Sequence, residues 1–406
     1  ERVTAGPLVV APASVCENWR RELERFAPSL SVHSYWGSSR EQALEALGKR
    51  AVVITSYALL QQDDTALQAI EWATAVLDEG QLIKNADTLR AKAAFGLKAK
   101  ARIIATGTPV ENHAGDIFSL FHFLNPGLLG SWKRFSAAMN EPRSSASRSA
   151  RRLLQPFVLR RTKTQVLEDL PPLTEIQRTV LMTPGEAKLY ESVRKAAFEK
   201  LSSVGKSPQA KVQVLAELTR LRRLCCHPEL VAPEAGLTSS KLESLLELVE
   251  ELVASKHRAL IFSQFTDVLA LIKPLLEKKG IRYQSLDGSS SMKKRSAAVD
   301  AFQDGDGEVF LISLKAGGFG LNLTGADYVI HVDPWWNPAV EAQASDRAHR
   351  IGQTRPVTVY RLVTAGTIEA AIVELHHKKR DLAESVLSGA EQAASLSAED
   401  LRALLG

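Results

Sequence analysis

Three short runs in this 406-residue chain combine residue types at spacings that could handle a phosphate-bearing substrate. The first is Ala75-Val-Leu-Asp-Glu-Gly-Gln81, an apolar run leading straight into two adjacent acids. Transfer of a phosphoryl group to water needs a carboxylate to hold Mg²⁺, usually through water, and a group that orients the attacking water. Asp78 is the candidate for the first task and Glu79 for the second. An acidic turn after a strand would account for the dipeptide alone, but the order strand, DE, G, Q, then Ile83-Lys84-Asn85 is more particular. The second run is Arg102-Ile-Ile-Ala-Thr-Gly-Thr-Pro-Val-Glu-Asn112, in which a strand pattern ends at Thr106, Gly107 and Thr108. Such a loop can hydrogen-bond a phosphate-sensing group on one side and a nucleic-acid backbone on the other.

The third run is the most specific. It reads Gly317-Gly-Phe-Gly-Leu-Asn-Leu323, then His331-Val-Asp-Pro-Trp-Trp-Asn-Pro338, then Gln343-Ala-Ser-Asp-Arg-Ala-His-Arg-Ile-Gly-Gln353. Glycines after a strand let the backbone approach a phosphate. Arg347 and Arg350 stand three apart in a predicted helix, hence on one face. Two arginines so placed could reach the γ-phosphate of a nucleotide, the arginine-finger role. An isolated R-x-x-R would read as solvated arginines; the whole run is too particular for that.

These runs need strands to present them. Short apolar runs at Leu8–Ala11, Ala51–Thr55, Ala75–Leu77 and Ile103–Ala105 alternate with helical patterns such as Glu17–Phe26. The alternation returns at Ala259–Phe262, Arg282–Leu286, Val309–Ser313, Tyr328–Val332 and Val357–Leu362. Continuous apolar strands separated by helices predict α/β architecture with parallel sheets buried on both faces, and with the functional loops at the strands' carboxyl ends. From about Ser131 to Ser240 the strand signal is weak and helical stretches dominate, broken by Pro171-Pro172 and Pro184-Gly185. The stretch from Ile368 to Leu405 reads as an amphipathic helical tail. The expected organisation is a first lobe over 1–130, a helical insert and linker over 131–240, a second lobe over 241–365 and a helical brace over 366–406.

Composition agrees with a globular protein: 45% hydrophobic and 24% charged residues exclude a mostly disordered chain. Lys and Arg number 51 against 46 Asp and Glu, a net charge of +5 that permits a nucleic-acid partner without naming one. Three cysteines (Cys16, Cys225 and Cys226) exclude a disulfide framework and point to a reducing compartment. No apolar run approaches a membrane span, and no membrane partner is expected.

The set DEGQ, TGTPxxN, LRRTK at Leu159–Lys163, GGFGLNL and QASDRAHRIGQ resembles the Swi/Snf-type ATPases of helicase superfamily two. Leu221-Arg-Arg-Leu-Cys-Cys-His-Pro228 and Ser119-Leu-Phe-His-Phe-Leu-Asn-Pro126 fit the same pattern, and the spelling is similar to that of bacterial and archaeal members. The resemblance implies two RecA-like lobes. It implies an ATP- and Mg²⁺-dependent translocase on double-stranded DNA that displaces or remodels DNA-bound protein without separating strands, acting as a monomeric motor. The expected setting is the nucleoid of a prokaryotic cytoplasm or a eukaryotic nucleus.

By position, Asp78 and Glu79 match the Mg²⁺-holding and water-activating acids. Gln81, Thr106, Gly107, Thr108, Gln343, Gly318 and Gly320 match elements that couple nucleotide state to DNA contact. Pro12, Ser14, Gln264, Asn322 and Trp336 match DNA-facing positions, with Arg347 and Arg350 in the finger motif. Lobe closure on ATP would bring the two arginines opposite the two acids. An RNA helicase of the same superfamily would carry S-A-T where Thr106-Gly-Thr stands; a non-catalytic DNA-binding scaffold would have no need of both acids and both arginines.

The family's phosphate-binding loop, G-x-x-x-x-G-K-[ST], is not found; Gly205-Lys206-Ser207 is a decoy, because Lys200 stands where the first glycine is needed. The chain opens on Glu1 rather than Met and enters the apolar run Pro7–Pro12 almost at once, as though cut in mid-domain. The 406 residues alone are therefore expected to be inactive towards ATP, while a longer protein carrying the loop is active. Cys225-Cys226-His227 lacks a second pair at metal-ligand spacing and reads as buried helix. Arg151-Arg152, Arg160-Arg161 with Lys163, and Arg220 with Arg222-Arg223 are basic clusters for which a solvated face is the default. With DNA as partner some would meet phosphate, Arg160 and Arg161 first among them.

Overall fold

A computed structural model describes residues 5–37, 40–107, 114–140, 149, 152–159, 161, 170–202, 208–314 and 321–374. The chain divides into two units at residue 162. The first holds a five-stranded sheet built from β1 (Leu8–Ala11), β2 (Ser31–Ser34), β3 (Ala51–Ser56), β4 (Glu71–Asp78) and β5 (Lys98–Ala105), in the order β2-β3-β1-β4-β5. Every pairing in it is parallel. The all-apolar runs of β1 and β3 are buried along their whole length because helices cover a parallel sheet on both faces. Leu8, Val10, Val53, Ala75 and Leu77 form one core with Trp72, whose buried indole N–H donates to the Leu67 carbonyl at 3.0 Å. Truncating one such leucine to alanine costs about 2–5 kcal/mol. β2 and β5 are the edge strands, and Ile103 on β5 is 50% exposed.

The second unit holds β6 (Leu173–Val180), β7 (Ala259–Ser263), β8 (Tyr283–Leu286), β9 (Val309–Ser313), β10 (Tyr328–His331) and β11 (Val357–Thr364) in the order β6-β11-β10-β7-β9-β8, again all parallel. Its cores follow the strand period of two. Ala259, Ile261, Leu311 and Ile330 join one cluster, while Leu260, Phe262, Ile312 and Val329 join another. Each unit is thus a RecA-like parallel α/β lobe. Among the described residues no helix is long and apolar enough to cross a membrane.

The stretch 131–240, expected to be helical, contains β6, which pairs with β11 through all eight residues and belongs to the second sheet. Its sequence, LTEIQRTV, carries no apolar run because it is an edge strand with only Val180 buried. Among the described residues the rest of that stretch is largely helical, including Trp132–Asn140, Pro184–Ser202 and Pro208–Cys226. The last two pack on each other through Tyr190, Val193, Val214, Leu218 and Leu221, with Ile368 and Ile372 closing the cluster. Buried Glu186 ties this pair to the helix Ser240–Ala254. It accepts from the Thr183 backbone N–H at 2.8 Å and the Ser240 N–H at 3.0 Å. Of the expected brace, 368–374 is helical and the remainder lies outside the described residues.

Candidate functional site

In the first unit β4 delivers Asp78 to its carboxyl end, directly opposite Ala105 at the end of β5. The Asp78 carboxylate is held from both sides. Its Oδ2 accepts from the Trp19 indole N–H at 2.8 Å, and its Oδ1 accepts from the Glu79 backbone N–H at 3.0 Å. The Tyr57 hydroxyl donates to the Asp78 carbonyl at 2.8 Å. Burial, then the charges of Asp78 and Glu79, push the Tyr57 pKa up, so the phenol remains a neutral donor.

The chain then turns sharply. Glu79 adopts the left-handed conformation at φ 52°, ψ 51°, which costs a non-glycine residue roughly 1 kcal/mol. Gly80 must be glycine, because a Cβ there would lie 2.2 Å from Cγ2 of Ile104 on β5. The turn leaves Glu79 Oε2 accepting from Gln81 Nε2 at 2.6 Å. Gln81 Oε1 in turn accepts from the Thr106 hydroxyl at 2.6 Å. One amide therefore joins the acidic turn after β4 to the hydroxyl loop after β5.

Pro12 is buried at the start of the helix Ala13–Phe26, and Ser14 is half-buried. Beneath them the Cys16 thiol donates to the Pro12 carbonyl at 3.4 Å. Burial, with Asp78 adding, pushes its pKa up to about 12, so it stays a thiol rather than a nucleophile. Gly107 and Arg161 are exposed; Thr108 and Arg160 lie outside the described residues.

In the second unit the geometry centres on Asp333, which is 0% exposed. Its Oδ1 accepts from Ser263 Oγ at 2.6 Å and from the Gln264 backbone N–H at 3.2 Å, both at the end of β7. Its Oδ2 faces Arg222 at 3.4 Å, while Arg222 donates to the Pro334 carbonyl at 2.6 Å. Burial pushes Asp333 up to about 6, against the pull of Arg222 and Ser263. Asn337 caps the helix Pro338–Ser345, accepting from Ala339 N–H at 3.0 Å, with Pro338 at the first turn. The Trp335 N–H donates to Glu341 Oε1 at 2.6 Å, and Arg361 holds the other oxygen at 2.8 Å. Asp333, Pro334, Trp335, Asn337 and Pro338 thus each have a positional task. His331 is buried with Nε2 3.0 Å from Ser345 Oγ, and burial lowers its pKa to about 4, so it is neutral.

Arg347 and Arg350 do not share a helix face. The helix ends at Ser345, and both arginines lie in the turns that follow. Those turns are held by short-range bonds such as Ala348 N–H to Ser345 carbonyl and Gln353 N–H to Arg350 carbonyl. Arg347 is only 4% exposed, and its carbonyl accepts from Leu323 N–H, whereas Arg350 is exposed. Gln343 and Gln264 are half-buried, Asn322 is exposed, and Gly318 and Gly320 lie outside the described residues.

Sequence reasoning missed Trp19, Tyr57 and Asp333. The first two reach Asp78 from 59 and 21 residues away, with no local pattern to mark them. Asp333 lay inside a quoted motif, and its place after β10 was the available signal. Of the basic clusters, Arg222 is buried and Arg223 pairs with Asp267, leaving Arg220 exposed. Cys225 and Cys226 are buried free thiols at the end of their helix, and no group of three or more metal-ligating side chains occurs among the described residues.

The family profile described as SNF2-related domain matches residues 2–230, and that of the helicase conserved C-terminal domain matches residues 240–352. A putative ATP-dependent helicase/translocase, YwqA of Bacillus subtilis, is 40% identical over 414 residues, covering 98% of this chain and 45% of that protein. The TATA-binding protein-associated factor mot1 of Schizosaccharomyces pombe is 35% identical over 460 residues, covering 96% of this chain and 24% of that protein. The chain therefore spans less than half the length of these relatives. Among solved structures, the Sulfolobus solfataricus SWI2/SNF2 ATPase core in complex with dsDNA is 36% identical with a TM-score of 0.47, covering 93% of this chain and 81% of that one.

Proposed function

This chain belongs to the SNF2-related family of ATP-dependent helicases, and from that premise we propose that it is the motor region of an ATP-driven translocase on double-stranded DNA. The carrying observation is the linkage Glu79–Gln81–Thr106, which joins the acids for phosphoryl transfer to a loop suited to sensing a nucleic-acid backbone. The motor moves along the duplex without separating its strands and displaces bound protein, a reading in keeping with a relative named as a TATA-binding protein-associated factor. It acts as a monomer and needs no membrane.

The residues present suit Mg²⁺. Asp78 and Glu79 offer only hard carboxylate oxygens, and each Asp78 oxygen keeps a lone pair beyond the hydrogen bond it accepts. Asp78 would hold the ion through water, and bound Mg²⁺ neutralises charge on the phosphoryl group. Glu79 orients the attacking water, its carboxylate steadied by Gln81. Arg350, exposed at the end of its turn, stabilises charge on the transferring group, while Arg347 is buried beside it and its carbonyl accepts from the Leu323 N–H. The 406 residues contain no G-x-x-x-x-G-K-[ST] run, so the backbone cradle for the phosphates must come from elsewhere for turnover.

DNA contact is assigned to Pro12, Ser14, Gln264, Asn322, Trp336, Arg160 and Arg161, and to the glycines Gly318 and Gly320. Backbone contacts of this kind carry little base preference. The test is steady-state ATP hydrolysis by the full-length protein with and without duplex DNA. Strong stimulation by duplex supports the reading; equal stimulation by single-stranded RNA, or none by DNA, overturns it.

A further inference from the structure

We propose that Arg222 is a positioning residue, which holds the Trp335–Trp336 segment in the conformation that meets duplex DNA. The proposal rests on the assignment of Trp336 as a DNA contact.

Arg222 is 1% exposed, and its guanidinium carbon stands over three ring faces. The distances to the ring centroids are 5.4 Å for Phe265, 5.7 Å for Trp335 and 5.3 Å for Trp336. All three fall within cation–π range. Its Nη2 donates to the Pro334 carbonyl and faces Asp333 on the same segment, while Nε is buried without a hydrogen-bond partner. An arginine on the helix Pro208–Cys226 therefore grips four consecutive residues, Asp333 to Trp336, more than a hundred positions downstream.

Asp333 extends the grip. The same carboxylate that faces Arg222 also receives Ser263 and the Gln264 backbone N–H, so one buried pair fixes two DNA-assigned segments relative to each other. A buried ion pair is weak evidence for stability, because an apolar side chain of similar volume would pack there without desolvation cost. Its distinctive effect is geometric: a planar cation with a fixed fork orients the rings and the loop carbonyl together. Trp336 is only half-buried, so its orientation bears on what it presents to solvent. A basic residue whose default reading from sequence is a solvated face thus acts on DNA through an aromatic neighbour.

The test is duplex binding by the full-length protein, read as fluorescence anisotropy of labelled DNA, for the parent, Arg222→Met, Trp336→Phe and the double variant. Arg222→Met is expected to weaken binding about tenfold, and Trp336→Phe similarly. The double variant should be no weaker than the poorer single, because both changes remove one interaction. Losses that multiply, or a folded Arg222→Met that binds like the parent, overturn the proposal. Failure of the parent to bind duplex overturns the DNA reading and this inference with it. If Arg222→Met does not fold, Arg222→Lys keeps the charge and loses the planar face, and the same cycle decides by the same criterion.

Discussion

Thr106 and Gln81, 25 residues apart in sequence, share a 2.6 Å hydrogen bond that links the loop after β5 to the turn after β4. Gln81 spends its other polar atom on Glu79, so the hydroxyl of Thr106 and the carboxylate of Glu79 are connected through a single side chain. In a motor, whatever moves the loop carrying Thr106 moves the amide that steadies Glu79.

Thr106→Val, which keeps shape and removes the hydroxyl, should therefore uncouple DNA from hydrolysis. The expected result is a fall of about tenfold in duplex-stimulated ATP turnover, in line with a lost hydrogen bond to a polar network, with a melting temperature lowered by no more than a few degrees. Steady-state hydrolysis by the full-length protein with and without duplex, beside a thermal melt, checks both parts. A variant that keeps full stimulation removes the link from the mechanism.

The two arginines of the third run should separate in their effects. Arg350 is exposed, so Arg350→Ala should abolish hydrolysis by roughly 10³-fold while leaving the melting temperature in place. Arg347 is buried, so Arg347→Ala should also lower stability, by about 2–4 kcal/mol in a urea unfolding series. Equal melting curves for the two variants would contradict the distinction.

Glu186 makes stability depend on pH. Burial pushes its pKa up, but the hydrogen bonds from Ser240 and Thr183 outweigh it and leave the pKa lowered from the ordinary value of 4.5. A carboxylate with a depressed folded-state pKa contributes stability that is fully present above the unfolded value and is lost as pH falls through the folded one. Parent and Glu186→Gln should therefore differ most above pH 4.5, and the gap should narrow below it. Urea midpoints of both proteins across that range test the sign; a gap that widens on acidification contradicts it.

Much of this was legible in the sequence because burial on both faces writes itself as continuous apolar runs. β1, β3 and β9 are such runs, and each sits where the sequence places it. β2, with the sequence SVHS, and β6 are not, since their edge positions leave most side chains half-buried or exposed. The positions of the acids and of the hydroxyl loop at strand ends could be read from local order, Asp78 closing β4 and Thr106 following β5.

What could not be read are the contacts made at long range. Trp19 on Asp78, and Arg222 on Asp333 across 111 residues, depend on how helices pack on the sheets. The shared helix face assigned to Arg347 and Arg350 failed for a local reason. Spacing says where side chains point only while the helix continues, and this one stops at Ser345.

The most direct test of the central claim is displacement of a third strand from a DNA triplex by the full-length protein and ATP. A translocase that tracks duplex without opening it releases the third strand and leaves the two duplex strands paired, and the Arg350→Ala variant releases nothing. Separation of the duplex strands, or brisk ATP hydrolysis with the third strand still bound, would contradict the account.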